Sequence, residues 1–326
     1  MQVRKLIGFC CGTAALVLVF APAAGLAEKD SAGKNSSNGR PSSDAPSSGA
    51  AQTGLPNSDY LVREVVYNEL HDHDQHGYWR YWIERQSNRE TQVQEAVETP
   101  EGPVQRLELT NGRPISVEAR EEEERRIQHL LNSSSEQAQH RKEYADDEHR
   151  IGRILALLPD AFIYEPAQVE GRTEEMAECP CYHLRFHPNP DYPTHSIESR
   201  IFHAMAGDLW ISVQNKRLVR LDGRLQDNVD FGYGILGRLY KDGWFRLERT
   251  RVGTAAAGNG DWKTQRLEVH MIGRAMLFKT IARETSELRG GFSPVPAGLS
   301  LQQAAALASE PMNASVARPA SLVTSR

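Results

Sequence analysis

Between residues 59 and 289 the chain is built of short runs in which apolar and polar positions alternate. YLVREVVYNEL (60–70) and YWRYWIERQ (78–86) are rich in Val, Ile, Tyr and Trp, and DLWISVQ (208–214), RLVRLDGRL (217–225), WFRLERTRV (244–252), WKTQRLEVHMI (262–272) and AMLFKTIARETSEL (275–288) follow later in the chain. Such runs predict strands. VQRLELTNGRPIS (104–116) adds an alternating run that ends in an Asn111-Gly112 turn. Turn signals every eight to twelve residues suggest an antiparallel meander.

Two helices interrupt the strands. Ser116 is placed as an N-cap, and the acids that follow suit the positive start of a helix. A second helix is expected from about Glu136 to Leu158, with Ile151, Ile154, Leu155 and Leu158 on one face and Pro159 as its stop. The order strands, helices, strands predicts an α+β fold, with helices gathered on one side of an antiparallel sheet. Alternation is imperfect. Leu218 is expected to face away from Val219 and Leu221, and the first strand carries apolar residues on both sides. A sheet apolar on both sides needs cover on both, or encloses a cavity.

The two ends differ from the middle. Residues 1–27 combine Arg4 and Lys5, an apolar run from Leu6 to Phe20, and small residues up to Ala27. They are expected to be a cleaved signal peptide, and the protein periplasmic or secreted. Residues 28–58 are rich in Ser, Gly, Pro and Asn, a composition that stays a disordered tether. Residues 290–326 are expected to be a flexible tail in which LSLQQAAALA has no required partner. Net charge is −5 and becomes more negative once Arg4 and Lys5 are removed, so nucleic acid is a poor partner.

Five segments of this middle resemble a family of secreted bacterial proteins related to the LolA-like superfamily, which includes outer-membrane lipoprotein carriers. They are REVVYNE (63–69), NGRPISVEAREEEERRIQHLL (111–131), LLPDAFIYEPAQVEGR (157–172), HPNPDYP (187–193) and GDLWISVQNKRLVRLDGRL (207–225). The resemblance implies a curved sheet, an incomplete β-barrel, with helices covering its concave side and an inner surface that accepts acyl chains. TEEMAECPC (173–181) and both tails depart from the family pattern.

Candidate chemistry is sparse. The chain has no nucleophile elbow, zinc-protease helix, P-loop or dinucleotide fingerprint. No catalytic residue and no cofactor are expected, and the protein is read as a non-enzyme. His71, His73 and His76, with Asp72 and Asp74, could hold a metal, but Asp and Gly are also what a hairpin tip uses. Cys179 and Cys181 form a disulfide candidate. The same pair with His183 is a weaker metal candidate. The expected function is to bind a lipid, a lipoprotein acyl chain or another amphiphile in an apolar concavity. Its expected lining is Val66, Trp79, Tyr81, Leu209, Ile211, Val219, Leu221, Phe245, Leu247, Leu267 and Val269 from strands, with Ile154 and Leu158 from the helix. The alternatives are an interaction module with a self-filled core and an envelope protein as partner, and a metal-handling protein.

Overall fold

The computed structural model describes residues 54–71, 77–87, 90–173, 176–231, 237–253, 260–275 and 279–310, with backbone alone at 275 and 279–281. The expected signal peptide, most of the tether, and residues 72–76 of the histidine cluster lie outside the described residues.

Helix α1 (Ser58–Leu70) is the first element of the described residues. It replaces the strand expected over 60–70. Its buried residues are Ser58, Leu61, Val62, Val65, Val66 and Glu69, a helical stripe. The Asn57 side chain caps it by accepting from the Tyr60 amide at 2.9 Å. The β-branched content that favours a strand loses to this period and this cap, because β propensity mostly reflects packing context.

Strands β1 (Tyr78–Ser87), β2 (Glu90–Val97), β3 (Val104–Thr110) and β4 (Arg113–Pro114) follow as hairpins. Asn111 and Gly112 both have positive φ, 51° and 73°, as a tight hairpin turn requires. Helix α2 (Val117–Asn132) is capped by Ser116 as expected. Helix α3 (Ser134–Ala161) continues through Pro159 instead of stopping there. In the last turn the missing N–H costs a single hydrogen bond.

The chain then forms β5 (Phe162–Tyr164), β6 (Gln168–Glu170), β7 (Cys181–Pro188), helix α4 (Ile197–Phe202), β8 (Met205–Ser212), β9 (Leu218–Leu225), β10 (Val229–Phe231) and β11 (Gly237–Leu239). The last elements of the described residues are β12 (Trp244–Val252), β13 (Asp261–Ala275), β14 (Lys279–Val295) and helix α5 (Leu301–Ser309). The fourteen strands of the described residues join one antiparallel sheet with the main order β4-β3-β2-β1-β14-β13-β12-β9-β8-β7-β5. The sheet is open, since β4 and β5 end the path without pairing to each other.

The C-terminal segment corrects the tail expected from residue 290. Strand β14 runs on to Val295, and α5 buries Leu301, Ala304, Ala305 and Ala308 against Val97, Val104 and Ile127. Small residues at helical spacing let α5 approach β2 and β3 closely.

The largest core lies on the sheet face that meets α1 and α3. Four strands contribute one cross-strand row to it: Phe186, Gly207, Gly223 and Phe245. A Cβ on Gly207 would stand 2.8 Å from the Phe186 ring and 1.9 Å from the Asp222 carbonyl oxygen. A Cβ on Gly223 would stand 2.3 Å from the Phe245 ring. The two glycines therefore make room for two phenyl rings to lie across the sheet. Gly223→Ala is expected to lower stability by about 1–3 kcal/mol, read as a lower midpoint in urea unfolding. An unchanged midpoint would mean that Phe245 turns aside freely.

Candidate functional site

The same two rings form part of the floor of an apolar cavity between α1 and the sheet. Val62, Val65 and Val66 of α1 face it from one side, and Leu155 and Leu158 of α3 close one end. Phe162, Phe202, Met205, Leu209, Leu218 and Leu221 complete most of the wall. The enclosed void is about 40 Å³, and the whole depression including space open to solvent is about 610 Å³. Tyr164 stands in the wall with its hydroxyl donating to the Leu158 carbonyl at 2.9 Å. Burial pushes its phenol up, so it stays neutral.

Glu69 is the one charged side chain lining the cavity among the described residues. It is buried and takes donors from three directions. Arg217 bridges it at 3.1 and 3.2 Å, the Leu218 amide reaches it at 3.1 Å, and Arg249 closes the other side. Arg249 also donates to the Trp262 carbonyl at 2.6 Å. One helical carboxylate thus ties α1 to β9 and β12, supported by Ser58 donating to the Glu165 carbonyl and Asn68 to the Lys216 carbonyl.

Five of the expected lining residues border the cavity: Val66, Leu158, Leu209, Leu221 and Phe245. Ile154, Ile211, Leu247, Leu267 and Val269 belong to the surrounding core without facing the void. Three are elsewhere. Trp79 and Tyr81 pack with Ile83, Ala96 and Val252 in a separate cluster, because β14, β13 and β12 stand between β1 and β9. Val219 packs with Cys179, Cys181 and Trp262. The expected parity of β9 is inverted here: Leu218, not Val219, shares the cavity side with Leu221. A bulge is the cause, since Trp210 pairs with Arg220 but Ile211 pairs with Leu218.

Cys179 and Cys181 form a disulfide, and both are buried. This overturns the metal reading of the pair with His183, because the two thiols are consumed. His183 instead lies between Glu170 at 2.7 Å and Asp208 at 2.8 Å, stacked on Trp210 with ring centroids 4.6 Å apart. Arg220 covers the other face of that indole. His71 ends α1, stacked on Tyr67. Among the described residues no group of three metal-ligating side chains converges.

The sequence reading missed Glu69, Arg217 and Arg249. The signal for Glu69 was its place at the end of the helical stripe 61, 62, 65, 66, 69, visible once that stretch is read with period 3.6. Nothing local marks its arginine partners.

Fold and site together define an open antiparallel sheet that holds an apolar cavity under helix α1. A crystal structure of a DUF1329 family protein from Desulfovibrio piger is similar at 11% identity, covering 74% of this chain and 94% of that one, with a TM-score of 0.26. A likeness of that size carries no argument about fold or ligand. No family model matches the chain, and no curated protein sequence does.

Proposed function

We propose that this protein is a non-enzymatic binder of amphiphiles in the cell envelope, taking an alkyl or acyl chain into the cavity between α1 and the sheet. The observation that carries the reading is the lining, which is aliphatic and aromatic apart from Glu69 and the Tyr164 hydroxyl. Such a wall offers a hydrocarbon chain about 25 cal/mol per Å² of buried apolar surface before association costs. On this reading the sheet is an incomplete barrel and α1 and α3 cover its concave side, which is what the resemblance to LolA-like carriers implies. The cargo is a lipid or a lipoprotein acyl chain.

The void of about 40 Å³ is far below the ~300–1,000 Å³ of ordinary ligand pockets. An alkyl chain therefore enters through the open part of the depression and needs α1 to give way. The same small void favours a second reading, an interaction module of the envelope whose core is filled by its own helix.

Native mass spectrometry of the protein isolated from its own envelope separates the two. The expected result is an alkyl-chain adduct. Added alkyl amphiphile at a hundredfold excess over its Kd is then expected to stabilise the fold by about 2.7 kcal/mol. A bare mass, with no thermal shift from any alkyl amphiphile, would sink the binder and leave the interaction module.

A further inference from the structure

On the face of the sheet turned away from the cavity, two arginines oppose each other. Arg238 on β11 pairs with Arg274 on β13, and Asp230 on β10 pairs with Arg238 from the other side. Directly opposed residues share a face, with Cβ atoms ~5 Å apart. Alternation fixes which face this is. Val229, Leu239 and Met271, each an odd number of positions from the row along its strand, belong to the main core. The row therefore points outward. Tyr240 and Ile272, two positions along from Arg238 and Arg274, keep to the outward face and are exposed. The Tyr240 amide donates to the Ile272 carbonyl at 2.8 Å, which holds the two side by side.

Like charges directly opposite each other in a sheet repel, and the row compensates only one of these two. Asp230 accepts from Nε and Nη2 of Arg238 at 2.5 and 2.7 Å. Arg274 is half-buried, and among the described residues no carboxylate pairs with it. Its Nε is shielded from solvent and has no acceptor. A donor withdrawn from water without an acceptor costs free energy. An oxyanion seated between the two guanidinium groups offsets both the repulsion and the missing acceptor. A carboxylate brings one charge and two oxygens, which a single guanidinium fork uses up. A phosphate on an organic group brings nearly two charges and three acceptor oxygens, enough to bridge two forks. The exposed pair Tyr240 and Ile272 beside the row offers contact to an apolar group next to that phosphate.

We propose that Arg238 and Arg274 form a binding site for a phosphomonoester, in which Asp230 orients Arg238 and the group that bears the phosphate rests on Tyr240 and Ile272. The site lies on the opposite face of the sheet from the cavity and does not depend on the binder reading. A soluble aryl phosphate and the head group of phosphatidic acid share this chemistry.

The test is calorimetric titration of the full chain with phenyl phosphate, inorganic phosphate and benzoate, beside flotation with vesicles of phosphatidylcholine, alone or mixed with phosphatidic acid. The expected result is binding of phenyl phosphate at least about tenfold tighter than of benzoate. Arg274→Gln is expected to weaken phenyl phosphate by about tenfold or more and to leave the thermal midpoint unchanged or higher. Arg274→Lys is expected to keep part of the affinity, and Tyr240→Ala to bring phenyl phosphate down toward inorganic phosphate. Arg238→Gln is expected to show the same loss as Arg274→Gln, and it decides the matter if the latter does not fold. Flotation that needs phosphatidic acid and is lost in the arginine variants supports the site with a lipid head group as its ligand. Phenyl phosphate binding without flotation supports it with a soluble phosphomonoester. Benzoate binding as tightly as phenyl phosphate overturns the proposal. So does phenyl phosphate binding that survives both arginine replacements, and so does a wild type that neither binds phenyl phosphate nor floats.

Discussion

Replacing Glu69 by alanine is expected to lower the unfolding free energy by about 3–5 kcal/mol, the usual cost of removing one partner from a buried ion pair. The carboxylate is the shared acceptor of Arg217, Arg249 and the Leu218 amide. Without it, two guanidinium groups remain close together under α1. The side chain of Arg249 is only 3% exposed, so water cannot easily replace the lost acceptor. Urea unfolding followed by tryptophan fluorescence measures the change. Glu69→Gln keeps the volume and separates lost charge from lost packing. A loss below about 1 kcal/mol, the range of an exposed pair, would show that α1 is held by its apolar stripe alone. If the binder reading is right, Glu69→Ala also loosens the helix over the cavity and speeds alkyl-chain entry, which stopped-flow binding can follow.

Acid is expected to remove a second large contribution. Glu287 is buried on the sheet face between two arginines. Burial by itself raises its pKa, but the guanidinium groups of Arg289 and Arg85 outweigh burial and hold it down at about 2, against an ordinary value of 4.5. A carboxylate whose folded pKa is depressed stabilises the fold fully above its unfolded pKa. That stability is lost as pH falls from about 4.5 toward 2. The shift corresponds to about 3 kcal/mol. Unfolding free energy measured at steps from pH 7 to pH 2 should therefore fall in that window, and Glu287→Gln should flatten the fall. Parallel profiles for wild type and Glu287→Gln would contradict this. Glu95 titrates elsewhere. Burial raises its carboxyl to about 7 despite the Arg80 hydrogen bond, so its contribution changes between about 4.5 and 7 and does not overlap.

Much of this architecture is legible in the order of residues. Period-two alternation marks the long strands of the meander, from Trp244–Val252 to Asp261–Ala275. Asn111-Gly112 marks a hairpin because both residues tolerate positive φ. Ser116 marks a helix start because its side chain reaches the Ala119 amide three residues on. Cys179 and Cys181 are near enough in the chain for their pairing to be foreseen. Each of these signals is local, spanning a few residues.

The features that the local pattern left open depend on distant partners. Residues 58–70 carry strand-favouring residues, and their packing against α3 and the sheet, with Asn57 as cap, makes them a helix. The α5 segment looks unpartnered until β2, β3 and α2 present an apolar surface to it. The bulge opposite Trp210 reverses the faces of Leu218 and Val219, and a reversal of one residue is invisible to any count of apolar positions. The pairing of Phe186 and Phe245 over two glycines, and of Glu69 with arginines 148 and 180 residues away, exists only once strand order and register are set. By itself the sequence determined the long strands of the meander, the Asn111-Gly112 turn and the helix start at Ser116, because those choices are governed by neighbours within a turn or a hairpin. The position of the cavity, its single carboxylate and the meeting of Glu287 with Arg85 and Arg289 were decided by tertiary packing, because each joins side chains brought together only in the folded sheet.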